Sequence, residues 1–221
     1  DEARSDADVR RIVADPYSLN PPGERSGPDS SAQQGVRYDE DLESWTGPFV
    51  MAAINERIVR RTNALLGHPY GRQFRYGEST AFGPGLKDAA TAAGFAVGQT
   101  AFVGAMAFGP TRSLLQTLLP EPGEGPSREQ IEEGFFHIRL LGRGRDADDQ
   151  EFRLETTVTA DRDPGYGATS RMLGESAVSL ACDDLDEGLD GGLLTPASAL
   201  GMQLVERLRE VGMSFETRTL T

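Results

Sequence analysis

Lysine is nearly missing from this chain: of 22 basic residues all but Lys87 are arginine, a bias read as genomic rather than mechanistic. Against them stand 35 acidic residues, for a formal net charge of −13. That balance excludes binding to a phosphate backbone, which needs a basic surface, so nucleic acid is not an expected partner. Histidine occurs only as His68 and His137, and cysteine only as Cys182. So few ligating side chains form no visible metal cluster, and no metal is expected. They exclude an internal disulfide framework and leave no Ser–His–Asp or Cys–His set to argue for. A single thiol fits a reducing compartment, so the expected location is cytoplasmic. Cys182 itself is read as a buried packing residue.

A glycine-rich nucleotide fingerprint is also missing. The nearest string, Gly165-Tyr166-Gly167-Ala168-Thr169-Ser170, is rejected. The strand before it belongs to an antiparallel hairpin rather than a parallel βαβ unit, and Tyr166 would crowd a pyrophosphate. The amino-terminal DEARSDADVRR is charged, does not read as a signal peptide, and carries no initiator methionine. The expectation is a chain cut from a longer protein. Long apolar runs are rare. Ala89–Thr111 is free of charge and long enough to raise a membrane helix, yet it is mostly Ala and Gly with Thr91, Gln99 and Thr100 inserted. Gly94 and Gly98 are spaced for close helix packing. Three readings stay open: a buried or interface helix, a surface touching lipid or a lipidic substrate, and a true span.

What is present is a soluble, loop-rich composition, 38% hydrophobic with 26 Gly and 13 Pro, long enough to bury a core. It is organised around Trp45–Tyr76. On a helical wheel, Met51, Ile54, Ile58, Val59, Leu65 and Leu66 share one face, with Asn55 and Thr62 in its middle. Glu56, Arg57, Arg60, Arg61 and Asn63 take the other side. Pro48 suits the helix entrance, and Gly67 stands where a left-handed cap would end it. Phe74, Tyr76, Glu78, Thr80 and Phe82 then alternate with small or polar residues, which predicts a strand.

Around this centre, Ser5–Ala14 predicts a short helix capped by Ser5, and residues 15–44 a long Pro/Ser/Gly-rich loop. Arg112–Leu119 predicts a second short helix after the apolar run, ended by Pro120, Pro122 and Pro126. Ser127 with Gln130 forms a capping box. Strands are predicted at Phe136–Leu141 and Phe152–Ala160, joined by the Gly142–Gln150 hairpin loop. A helix from Ala168 to Cys182, apolar over most of its surface with Arg171 and Glu175 paired, is expected to be central. Thr195 and Pro196 open a helix whose face is Ala197, Leu200, Leu204, Val205, Leu208 and Val211. Gly212 ends it, and Met213–Leu220 alternates as a last strand.

Two places could hold polar chemistry. A buried Asn55 must find a hydrogen-bond partner, in the protein or in a ligand. Beside it Arg57, Arg60 and Arg61 form a basic ridge whose forks suit carboxylate or phosphate, or else a solvated face with Glu56 paired to Arg60. The second place is the turn Asp163–Gly167, where a helix N-terminus offers free N–H groups and Tyr166, Thr169 and Ser170 add hydroxyls. There Asp163 and Pro164 could equally just shape a tight turn.

A set of blocks carries a family resemblance: Trp45, Pro48–Ala52, Asn55, Arg57–Arg61, Asn63–Leu66, Tyr70-Gly71 and Phe74–Tyr76; Asp163–Tyr166 with Ala168–Ser170 and Leu173–Glu175; and Gly192–Ala197. In this order they resemble the carboxy-terminal part of the saccharopine dehydrogenase-like oxidoreductases, in particular the trans-acting enoyl reductase branch of actinobacterial lipid synthesis. The resemblance implies hydride transfer from NAD(P)H, the cofactor (NADP or NAD) being bound mainly by an amino-terminal Rossmann domain absent from this chain. Residues 45–221 are then a single substrate-side α+β domain, with a mixed or antiparallel sheet of about five strands covered by helices. The candidate substrate-binding residues are Asn55, Arg57, Arg61, Tyr76, Tyr166 and Thr169. The expected partners are the missing nucleotide-binding domain, a lipid or acyl substrate and a second copy of the chain, with membrane association at the apolar run. The rival expectation is a non-enzymatic lipid-binding or dimerisation module.

Overall fold

The computed structural model describes residues 6–29, 31–117, 123–146, 148–185 and 191–220. The class is α+β. Among the described residues the strands form two three-stranded antiparallel sheets, rather than the expected one sheet of about five. The chain divides into two compact units, Asp1–Pro120 and Glu121–Thr221.

In the first unit, helix α1 (Ala7–Ala14) is capped by Asp6, whose carboxylate accepts from the N–H groups of Asp8 (2.8 Å) and Val9 (3.3 Å). Ser5, the predicted cap, lies outside the described residues. Strands β1 (Arg37–Asp39), β2 (Ser44–Gly47) and β3 (Thr80–Gly83) make a small sheet in that order. Helix α2 (Ala52–Leu65) lies between β2 and β3 in sequence and ends as predicted, with Gly67 at φ +76° and the His68 N–H bonded to the Asn63 carbonyl at 2.7 Å.

The faces of α2 are largely reversed from the wheel reading. Glu56, Arg60 and Asn63 are buried, while Met51, Ile54, Ile58 and Leu66 are exposed; Thr62, placed on the apolar face, is buried as expected. The reason is in residues 15–29, read as a slack loop. They bury Tyr17 and Asn20, and they supply the carboxylate and carbonyl groups that the arginines of α2 need. The predicted strand over 74–82 shortens to β3 for a related reason. The N–H groups of Tyr76 and Glu78 go to the carboxylates of Asp29 (3.1 Å) and Glu56 (3.1 Å), not to a ladder.

The apolar run is one continuous helix, α3 (Leu86–Ala107), followed by α4 (Gly109–Gln116). Only Ala92 and Ala96 of α3 are buried, which overturns the buried reading. Phe82 meets Phe95 edge-on at 5.4 Å, so the first half of α3 sits on the small sheet. Helix α4 starts three residues earlier than predicted; Leu118, Leu119, Pro120 and Pro122 lie outside the described residues.

The second unit follows its sequence more closely. The Ser127 capping box opens α5 (Arg128–Glu133). Strands β4 (Phe136–Arg145) and β5 (Glu151–Ala160) pair in register from Phe136↔Ala160 to Arg145↔Glu151, longer than predicted because residues 142–145 stay in the ladder. After α6 (Gly167–Cys182) and α7 (Pro196–Glu210), β6 (Met213–Leu220) pairs with β5, giving the order β4-β5-β6. The core is Ala160, Ala168, Leu200, Leu204, Leu208 and Met213. Thr195 caps α7 with Pro196 in its first turn, as predicted. Ala197 is exposed and Ala199 packs instead, and Gly201 (φ 53°, ψ −135°) breaks the helix without moving Leu200, Leu204 and Leu208 off the buried face.

Helix α6 is not central: Leu173, Val178 and Leu180 are exposed, and so is Cys182. Arg171 and Glu175 do not pair as predicted. Arg171 donates to the Val211 carbonyl (2.8 Å) and meets Asp161, while Glu175 meets Arg207 at 3.3 Å.

Candidate functional site

The polar side of α2 builds a connected cluster. Arg60 sits at its base with only 4% of its side chain exposed. Its Nε donates to Asp29 Oδ2 (2.7 Å), its Nη2 to Glu56 Oε2 (3.0 Å) and the Tyr76 carbonyl (2.9 Å), and its Nη1 to the Pro16 carbonyl (3.3 Å). The guanidinium also lies 5.5 Å from the Tyr17 ring centre. A planar fork with several donors is the group that can serve so many acceptors from one buried position.

On this base stand three half-buried groups. Asn55 Nδ2 donates to Glu78 Oε2 at 2.9 Å, and the Tyr76 hydroxyl donates to Glu78 Oε1 at 3.0 Å. Both carboxylate oxygens of Glu78 are therefore addressed by neutral donors, with no cation among the described residues bonded to either. Desolvation, reinforced by the nearby Glu56 carboxylate, pushes the Glu78 carboxyl above the usual range, against the lowering effect of Asn55 and Tyr76. Desolvation and Glu78 push the Tyr76 hydroxyl up strongly, so it stays a donor throughout the neutral range. A carboxyl that keeps its proton more readily than usual, held between an amide and a phenol, can give that proton to a bound group and take it back.

The structure thus brings Asn55 and Tyr76 together through Glu78. Sequence reading placed Glu78 in the alternation but assigned it no role. The available signal was an acidic residue sharing a strand face with Tyr76, within reach of a polar side chain on the preceding helix. Arg57 and Arg61 are placed elsewhere. Arg57 donates to the carbonyls of Asp15 (3.1 Å), Val13 (2.5 Å) and Ala53, satisfying the end of α1. Arg61 donates to the Leu19 carbonyl. Together with Arg60 they fasten residues 13–29 to α2.

In the second unit, the Asp163 carboxylate accepts the Tyr166 N–H at 2.6 Å. It is held below its ordinary range by that bond and, after a smaller opposing desolvation, by those from Gly165 and Gly167. The N–H groups offered to a ligand are thus already satisfied by the chain itself. The Thr169 hydroxyl turns back to the Pro164 carbonyl (2.5 Å), and Tyr166 leaves its side chain 58% exposed. This turn, the nearest approach to a nucleotide fingerprint, follows an antiparallel strand and does not fit a dinucleotide pyrophosphate. Among the described residues, no group of His, Cys, Asp and Glu could hold a metal ion.

Comparison with known proteins adds sequence relatives. A Mycobacterium tuberculosis protein provisionally named a trans-acting enoyl reductase is 38% identical over 227 residues, 99% of this chain and 53% of its own length. The chain is similar to trans-acting enoyl reductases. Another of that name, from Mycobacterium ulcerans, is 35% identical over 96% of this chain and 51% of its own length. A third trans-acting enoyl reductase, from Mycobacterium bovis, is 34% identical over 99% of this chain and 53% of its own length. The chain spans about half the length of the curated relatives it matches. No family profile and no solved structure matches it.

Proposed function

We propose that this chain is the substrate-side, carboxy-terminal part of an NAD(P)H-dependent enoyl reductase of the saccharopine dehydrogenase-like kind, acting on a lipid or polyketide acyl chain. The observation that carries the reading is asymmetric coverage: 96–99% of this chain aligns, but only 51–53% of each enoyl reductase. The uncovered part of the relatives is the natural place for the nicotinamide cofactor. The hydride chemistry belongs there, and no step of it is assigned to residues of this chain.

Saturating a carbon–carbon double bond conjugated to a carbonyl needs a hydride at one carbon and a proton at the other. In this reading Glu78 supplies the proton, directly or through the Tyr76 hydroxyl, and is reloaded from water. Asn55 and Tyr76 hold its carboxyl in place. Expected partners are the nucleotide-binding half, an acyl substrate and a second copy of the chain, in the cytoplasm.

The test joins this chain to the uncovered half of the Mycobacterium tuberculosis relative and follows oxidation of NADPH and of NADH with a 2-enoyl thioester. Turnover in the joined protein, lost in Glu78→Gln, is the expected result. No turnover in the joined, folded protein would sink the proposal.

The exposed helix α3 favours a second reading, a lipid-binding or dimerisation module without catalysis. Selective uptake of an acyl ligand by this chain, with no turnover restored by the other half, decides for it.

A further inference from the structure

We propose that the second half of α3, with its turn into α4, enters the hydrocarbon of one leaflet of an uncharged lipid surface. Helix α3 has 22 residues and is long and apolar enough by composition to cross a membrane. Its first half is already occupied: Ala92 and Ala96 are buried, and Phe95 rests against Phe82. Val103 lies within about 20° of the direction in which Ala92 is buried, at about 100° per residue. Yet Val103 is 65% exposed, so the protein cover ends part-way along the helix. The rest of the run, residues 97–108, is exposed except where Gln99, Ala105 and Met106 are part-buried, and is about 18 Å long, slightly more than one leaflet of a hydrocarbon core about 30 Å thick. A partial insertion fits this geometry and a full span does not.

The occupant is hydrocarbon rather than protein because the exposed apolar residues lie on every side of the helix. Phe102 (48% exposed) faces one way, Val97 (69%) another and Val103 a third. A protein groove covers one face of a helix; lipid covers all of them. Two hydroxyls of the run are prepared for such a medium. Thr100 bonds the Ala96 carbonyl (2.9 Å), and Thr111 bonds the carbonyls of Ala105 (2.5 Å) and Phe108 (3.0 Å), closing the end of the helix. The first charge after the run, Arg112, is exposed on a stem long enough to reach headgroups. With a net charge of −13, attraction to anionic lipid is excluded, so the contact is hydrophobic and indifferent to salt.

The test is flotation of the chain with phosphatidylcholine vesicles at about 0.1 M and about 1 M salt. The chain floats equally at both. The double variant Phe102→Asp with Val103→Asp reduces the bound fraction at least about tenfold. Leu173→Asp, an equally exposed apolar site on α6, leaves it unchanged. Trp45 fluorescence confirms that the double variant is folded, and circular dichroism that Leu173→Asp is. A wild-type chain that stays unbound, a double variant that still floats, or binding stripped by salt overturns the proposal. So does self-association abolished by the double variant without any flotation, which would make a second copy the occupant.

Discussion

Arg60 Nε meets Asp29 Oδ2 at 2.7 Å, joining two side chains 31 positions apart with both almost fully buried. The first unit has little apolar mass to hold it: among the described residues its buried hydrophobics are Tyr17, Ala52, Ala92 and Ala96. The network around Arg60 takes the place of a greasy core. It also fixes Tyr76 by its backbone, through the Asp29 carboxylate and the Arg60 fork.

Arg60→Ala should therefore destabilise the first unit by roughly 3–5 kcal/mol, because it strands two buried carboxylates, Asp29 and Glu56. Arg60→Lys should recover only a minor part, since an ammonium cannot span the Asp29, Glu56 and Tyr76 acceptors from one position. The sole tryptophan, Trp45, lies in β2 and reports this unit, so urea titrations followed by its fluorescence measure both variants. An Arg60→Ala midpoint equal to wild type would show that the buried charges are not the unit's support.

Glu78 gives a pH dependence of opposite sign to the usual acidic residue. Its folded-state carboxyl is raised above its ordinary range by burial and Glu56. The folded chain therefore binds more protons than the unfolded chain between the ordinary and the raised values. Stability falls as pH rises through that window and is level above it. Glu78→Gln keeps the shape and the Tyr76 and Asn55 partners but cannot titrate. The stability of wild type minus that of Glu78→Gln should decrease with pH from about pH 4 upward and then flatten. A difference that rises with pH would mean Glu78 is stabilised as an anion, and its assignment as proton carrier would fail with it.

Asp183 behaves the other way. Arg207 grips it through Nε (2.7 Å) and Nη2 (2.5 Å), Ser179 adds a bond of 2.7 Å, and its carboxyl is lowered to about 2. The stability it contributes is fully present above the ordinary aspartate range and is lost as pH falls toward that lowered value. Asp183→Asn should lower the thermal midpoint of the second unit at pH 7. The gap to wild type should close as the pH approaches 2. Calorimetry across that range checks both.

The sequence made the second unit readable because its elements follow local rules. The Ser127 and Thr195 caps, the alternation of β5 and β6, and the Leu200-Leu204-Leu208 stripe each depend on near neighbours and on one apolar side. The first unit was legible in its parts but not in its orientation. Periodicity marks two sides of α2 and assumes that the apolar one is buried. Here the charged side is buried, because Asp29 and the carbonyls of residues 13–19 satisfy its arginines, and nothing local to α2 announces them. Glu78 was hidden for the same reason: its partner Asn55 is 23 residues away.

Two glycines in the second unit should respond in opposite directions to the same substitution. A Cβ on Gly134 would stand 2.6 Å from the Cα and the N of Asp163, where backbone cannot yield as a side-chain tip can. Gly134→Ala should cost about 1–3 kcal/mol. It should also shift the turn in which Asp163 gathers the N–H groups of Gly165, Tyr166 and Gly167. Gly174 lies inside α6 with nothing within 4 Å of where a Cβ would go. Gly174→Ala should stabilise by about 0.5–1 kcal/mol, by removing backbone freedom from the unfolded chain. Hydrogen exchange of the β5 amides reads both changes in one unit. A Gly134→Ala chain as protected as wild type would mean that the end of α5 and the Asp163 turn do not approach so closely, and the helix N-terminus would then reopen as a place for a ligand.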